Sequence, residues 1–125
     1  MAYSKFNLEG KVALITGASG LLGQEHAYAL LESGSKVILT DISIGSLETA
    51  KNRLCQSFPS ELISIKVMDV TSRDAICGVF QSLVSDSLRV DILVNNAAID
   101  PKVDKTKGLV EGSRLENFTL EDWNL

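Results

Sequence analysis

The sequence predicts an α/β chain built as a doubly wound parallel sheet, with its first four strands in the order 3-2-1-4. Three observations carry this. Four short aliphatic runs recur at regular intervals, the segments between them have helical period, and a glycine-rich turn joins the first run to the first helix. Strand–helix alternation with short turns is the pattern of βαβ units, which close right-handed onto a parallel sheet.

The elements follow in order. The runs are "KVALIT" from Lys11, "SKVILT" from Ser35, "LISIKVM" from Leu62 and "VDILVN" from Val90. Each is nearly continuous in apolar residues, as suits strands covered on both faces. Gly34 closes the first helix after Leu30 and Leu31. Residues 43–58 place Leu47, Ala50, Leu54 and Phe58 on one stripe, and residues 72–87 do the same with Ile76, Val79, Phe80, Leu83 and Val84. Thr71 with Asp74 resembles a capping box for that last helix, and Thr119 with Asp122 resembles another in the closing "TLEDWNL". Residues 99–118 read as a long charged loop on the ligand side of the sheet, where Lys102, Lys105 and Lys107 are expected to be solvated.

The chain has 125 residues, the size of one domain, and 45% of them are hydrophobic against 22% charged. The net charge of −4 argues against a nucleic-acid or anionic-membrane surface, which needs clustered Lys and Arg. No apolar run reaches the roughly 18 residues of a membrane span, and the first residues lack the apolar core of a signal peptide. Cys55 and Cys77 are expected to be reduced, mostly buried thiols in a cytoplasmic protein. His26 has no second His or Cys on its face, so no metal is expected.

The chemistry begins at "TGASGLLGQ". Gly17 lets the chain leave the strand in a tight turn, Gly20 leaves the backbone open to a pyrophosphate, and Gly23 lets the helix pack closely. The N–H groups of the first helical turn and the helix dipole favour an anion there, with Thr16 and Ser19 as extra hydroxyl donors. A strand–helix turn with no ligand is the competing reading. Asp41 tips the balance. It stands 18 residues after Gly23, at the end of the second strand, where an acid binds the adenosine ribose hydroxyls. Hydrogen bonds to a charged group stabilise by roughly 1.5–3 kcal/mol. A 2′-phosphate would instead meet repulsion on the order of 4 kcal/mol per unit charge at an effective dielectric near 20. Ile42 and Ser43 bring no cation to offset it. The expected cofactor is therefore NAD(H), with NADP(H) disfavoured.

"LEGKVALITGASGLLG", then Asp69 and Val70 after the third run, then "VDILVNNAA", together resemble the short-chain dehydrogenases/reductases from about Phe6 to Leu125. The resemblance implies a Rossmann-like fold and an oxidoreductase that transfers a hydride between nicotinamide and an alcohol or carbonyl substrate. It implies that Asp69 and the Val70 backbone contact adenine, and that Asn96, Ala97 and Ala98 line the ribose. The candidate cofactor-binding set is thus Thr16, Gly17, Ser19, Gly20, Leu22, Gly23, Asp41, Ile42, Asp69, Val70, Asn96, Ala97 and Ala98. The resemblance further implies a small-molecule substrate and a homo-oligomeric full-length protein.

Two departures matter. The family's usual T-G-x-x-x-G-x-G has its middle glycine one place later, where Leu21 stands. The observed G-x-x-G-x-x-G is closer to the extended branch of sugar-nucleotide epimerases and dehydratases, but "NNAA" favours the ordinary branch. The family also uses a Tyr-x-x-x-Lys pair for proton transfer, a contribution of about 10²–10⁴-fold. The tyrosines here are Tyr3 and Tyr28, followed four residues on by Asn7 and Glu32. No catalytic residue is assigned. The chain reads as the N-terminal part of an NAD-binding domain whose catalytic half is absent, inactive alone; the alternatives are a non-catalytic nucleotide-binding module and a sugar-nucleotide epimerase or dehydratase of the extended branch.

Overall fold

The computed structural model describes residues 4–98 and Leu120. After a 3-10 turn at Ser4–Phe6 come β1 (Val12–Ile15), α1 (Leu21–Glu32), β2 (Lys36–Asp41), α2 (Ile44–Leu54), a second 3-10 turn at Ser60–Leu62, β3 (Ile63–Val67), α3 (Arg73–Ser85) and β4 (Ile92–Val94). All strand pairs are parallel and the order is β3-β2-β1-β4, as the sequence predicts.

The strands sort their side chains by parity. Ala13, Ile15, Val37 and Leu39 join Ala27 and Leu31 of α1 and Leu47, Ala50 and Leu54 of α2 in one core. Val12, Leu14 and Ile38 join Met68 and Val79 and Leu83 of α3 in the other. The central strands β1 and β2 are therefore apolar at consecutive positions because both faces are covered. Thr40 is the buried exception, and its hydroxyl donates to the Ile15 carbonyl at 2.8 Å.

Helix α1 ends as Gly34 predicts. Gly34 has φ +95°, its N–H donates to the Leu31 carbonyl, and the Ser35 N–H donates to the Leu30 carbonyl, the paired bonds of a Schellman stop. Helix α2 is shorter than its apolar stripe. It stops at Leu54, where tighter three-residue bonds take over, the Gln56 N–H donating to the Arg53 carbonyl and the Ser57 N–H to the Leu54 carbonyl. Phe58 still packs on the core and meets Tyr28 edge-on at 5.0 Å.

Helix α3 corrects three expectations. Its N-cap is Ser72, whose hydroxyl accepts from the Ala75 N–H at 3.1 Å; the Thr71 hydroxyl is drawn to Asp69 instead. Only Val79 and Leu83 of its stripe are buried. Ile76, Phe80 and Val84 are exposed, because at 100° per residue they fall to one side of the Val79–Leu83 line that meets the sheet. Cys77 lies on that same side and is exposed, while Cys55 is half-buried; both are free thiols. Residues 99–118 and the capping pair Thr119 and Asp122 lie outside the described residues.

Candidate nucleotide site

The carboxyl ends of β1, β2, β3 and β4 meet at one edge, with α1 starting there. That edge is where ligands bind open parallel sheets. The chain leaves β1 through Thr16 into Gly17, which has φ +60°. A Cβ on Gly17 would stand 2.9 Å from the Ala97 Cα, so the turn and the segment after β4 touch backbone to backbone. Gly23 is tighter still. A Cβ there would lie 2.4 Å from the Gly17 carbonyl oxygen and 2.7 Å from the Ala18 Cα. What Gly23 admits is thus the turn's own backbone, which packs closely on the first turn of α1.

Gly20 differs from both. It is the N-cap of α1 with φ −74° and ψ 173°, a conformation open to any residue. Its Cβ would meet only the Gly17 oxygen, at 3.4 Å. Nothing in the described chain requires glycine at this position. Beyond it, the Leu21, Leu22 and Gly23 amides have no acceptor among the described residues, the first helical bond being Gln24 N–H to the Gly20 carbonyl at 3.1 Å.

The other candidate residues surround this turn. Asp41 Oδ2 accepts from the Ser19 N–H at 3.1 Å and from the Ser19 hydroxyl, and Oδ1 accepts from the Ile42 N–H at 2.8 Å. Asp41 thereby ties the end of β2 to the glycine turn. Asn96 does the same for β4. Its side-chain amide donates to the carbonyls of Thr16 at 3.2 Å and Gly17 at 3.1 Å. Thr16 is buried. Its hydroxyl accepts from the Asn96 and Ala97 N–H groups at 3.0 Å each, so it braces the turn from behind and is not an open donor. Asn95 and Ala98 are exposed beside them.

Asp69 and Val70 sit past β3 at the same edge. The Asp69 carboxylate accepts from the Thr71 hydroxyl at 2.7 Å and the Thr71 N–H at 2.9 Å, and these two bonds, the hydroxyl first, hold its pKa below the ordinary 3.8. Leu22, Ile42 and Val70 are exposed apolar side chains at the ends of successive elements there. The described residues contain no cluster of His, Cys, Asp and Glu that would hold a metal, and no helix among them is long and apolar enough to cross a membrane.

Two supporting residues escape a reading of the sequence. Asp91 Oδ2 accepts from the Val12 N–H at 3.0 Å and extends the pairing of β4 with β1. The Gln24 side-chain amide donates to the Ser19 carbonyl at 2.9 Å. Neither residue type nor spacing marks them.

The family model for short chain dehydrogenase matches residues 11–124, and the chain belongs to that family. An uncharacterized oxidoreductase of Staphylococcus saprophyticus is 33% identical over 118 residues, which are 94% of this chain and 42% of the relative. An NAD+-bound xylitol dehydrogenase structure is 35% identical with a TM-score of 0.66, covering 74% of this chain and 35% of that one. A Pseudomonas aeruginosa RhlG/NADP complex is 33% identical with a TM-score of 0.68, covering 77% and 38%. The chain thus spans about two-fifths of the length of the curated relative it matches. Both dinucleotides occur among its structural neighbours.

Proposed function

We propose that this chain holds the adenosine diphosphate half of NAD(H) and is the cofactor-binding part of an oxidoreductase acting on an alcohol or carbonyl. The observation that carries the reading is Gly20. Gly17 and Gly23 are explained by contacts within the chain, whereas Gly20 borders open space beside the free amides of Leu21, Leu22 and Gly23. A pyrophosphate fits that cradle, accepting from amides at the positive end of α1.

Asp41 would accept from the ribose hydroxyls with the lone pairs that Ser19 and Ile42 leave open. No cation follows it in Ile42 or Ser43, so a 2′-phosphate meets net repulsion, and NAD(H) is the fitting form. Asp69, held ionised at neutral pH, would accept from the adenine amine. Leu22, Ile42 and Val70 offer apolar surface to the base. The nicotinamide, when bound, supplies or accepts the hydride. Among these 125 residues there is no Tyr-x-x-x-Lys, so binding without turnover is the activity assigned to the chain alone.

Gly20→Ala tests the reading. The backbone accepts alanine, and an N-cap Gly→Ala change costs helix stability of about 1 kcal/mol or less. The expected result is a melting temperature lowered by no more than about 6 °C, with NADH binding weakened tenfold or more in a fluorescence titration. Equal NADH affinity in Gly20→Ala and the wild type would remove the argument.

A further inference from the structure

The geometry points to Gln24 as a positioning residue that sets the cofactor preference of this turn through Ser19 and Asp41; this rests on the NAD reading above. The Ser19 carbonyl lies one residue before the N-cap. The backbone donor in line for it is the Gly23 N–H, four residues on. In this structure the acceptor is taken by the side chain of Gln24 instead, Nε2 donating to the Ser19 carbonyl oxygen at 2.9 Å. Two consequences follow. The Gly23 amide makes no bond to a described residue at the helix end, and Ser19 is held on both sides of its Cα, its carbonyl by Gln24 and its N–H and hydroxyl by Asp41 Oδ2.

Arg53 fixes the sense of the Gln24 amide. Its Nη1 donates to Gln24 Oε1 at 3.3 Å, and only the oxygen end of the amide accepts. The nitrogen end is thereby left facing Ser19. A relay runs from Arg53 in α2 through Gln24 in α1 and Ser19 in the turn to Asp41 at the end of β2. Gln24 reaches the glycine turn through the Ser19 carbonyl and makes no bond to Asp41. It acts by holding the Asp41 carboxylate where a ribose 2′-hydroxyl donates and a 2′-phosphate is repelled.

Removing the donor releases this arrangement. The Ser19 carbonyl then draws on the Gly23 amide, the Ser19 residue shifts toward α1, and its N–H and hydroxyl move off Asp41. Gln24→Met keeps length and removes both hydrogen-bonding ends. Gln24→Glu keeps an oxygen for Arg53 and replaces the donor to Ser19 with a charged acceptor. The probes are ADP-ribose and 2′-phospho-ADP-ribose, which load the adenosine half alone, titrated calorimetrically into the wild type and both variants. The ratio of the two affinities is the readout, because a merely structural loss weakens both ligands alike.

The expected result is a wild type that prefers ADP-ribose, with the preference narrowed about tenfold in Gln24→Met and in Gln24→Glu. Faster hydrogen exchange of the Ser19 amide in both variants, without any ligand, is expected alongside. A wild type without preference for ADP-ribose overturns the NAD reading and this inference together. A wild-type preference that persists unchanged in both variants overturns the inference alone and leaves the NAD reading standing.

Discussion

Asp69 shows what a short side-chain contact does to a residue's chemistry. Its carboxylate accepts from the hydroxyl and N–H of Thr71, two residues on, and its pKa is lowered from 3.8. Because the folded value lies below the unfolded one, the stabilisation is complete above about 3.8 and is lost as pH falls through the folded pKa. Thr71→Val removes the larger of the two bonds. The Asp69 carboxyl-carbon titration, followed by NMR, is then expected to move up toward 3.8; an unmoved midpoint would show that the hydroxyl bond contributes nothing. Position at the end of the second strand drew attention to Asp41, and the family resemblance drew it to Asp69; both lie at the same edge of the sheet. It did not make Thr16 legible, since an open hydroxyl and one turned back on Asn96 and Ala97 read alike until the end of β4 is placed beside it. The glycines were half legible: their number and spacing announce the turn, but only three-dimensional contacts separate Gly20 from Gly17 and Gly23.

At the level of elements, α3 is where periodicity and burial part company. Its sequence has an apolar stripe wide enough for two neighbours, and the sheet meets one half of it. Phe80 stays 66% exposed and Leu93 on β4 58% exposed. β4 stands at one edge of the four-stranded sheet, an arrangement open to further pairing. The pattern reveals which positions are apolar, and burial depends on how far the sheet and helices beside them extend. Helix α3 also carries Gly78 at a position where an added Cβ would meet nothing within 4 Å. Glycine in a helix interior costs roughly 0.5–1 kcal/mol relative to alanine. Gly78→Ala is therefore expected to raise unfolding free energy by about that amount in urea titrations; a loss of stability would mean that a neighbour approaches this face. Helix ends were legible where backbone chemistry dictates them, as at Gly34. The start of α3 was misread by one residue because Thr71 and Ser72 are both good caps, and Asp69 decides which hydroxyl is left for the helix.

For the molecule as a whole, strand order, parallel pairing and the placing of the candidate residues at one edge were all readable from the alternation of apolar runs with helical segments. Parity explains why: buried central strands need residues such as Val12, Ala13, Leu14 and Ile15 in succession, and little else in a sequence does. Two of the braces were not readable. Gln24 and Asp91 act across 5 and 79 residues of chain, through side-chain geometry that no local pattern encodes. The central claim is that this edge takes NAD(H) in preference to NADP(H) because Asp41 faces the ribose with no cation next to it. Calorimetric titration of the chain with NADH and with NADPH, at one ionic strength, tests it most directly. NADH binding at least tenfold tighter than NADPH is the predicted result, and NADPH binding as tightly or more tightly would contradict it.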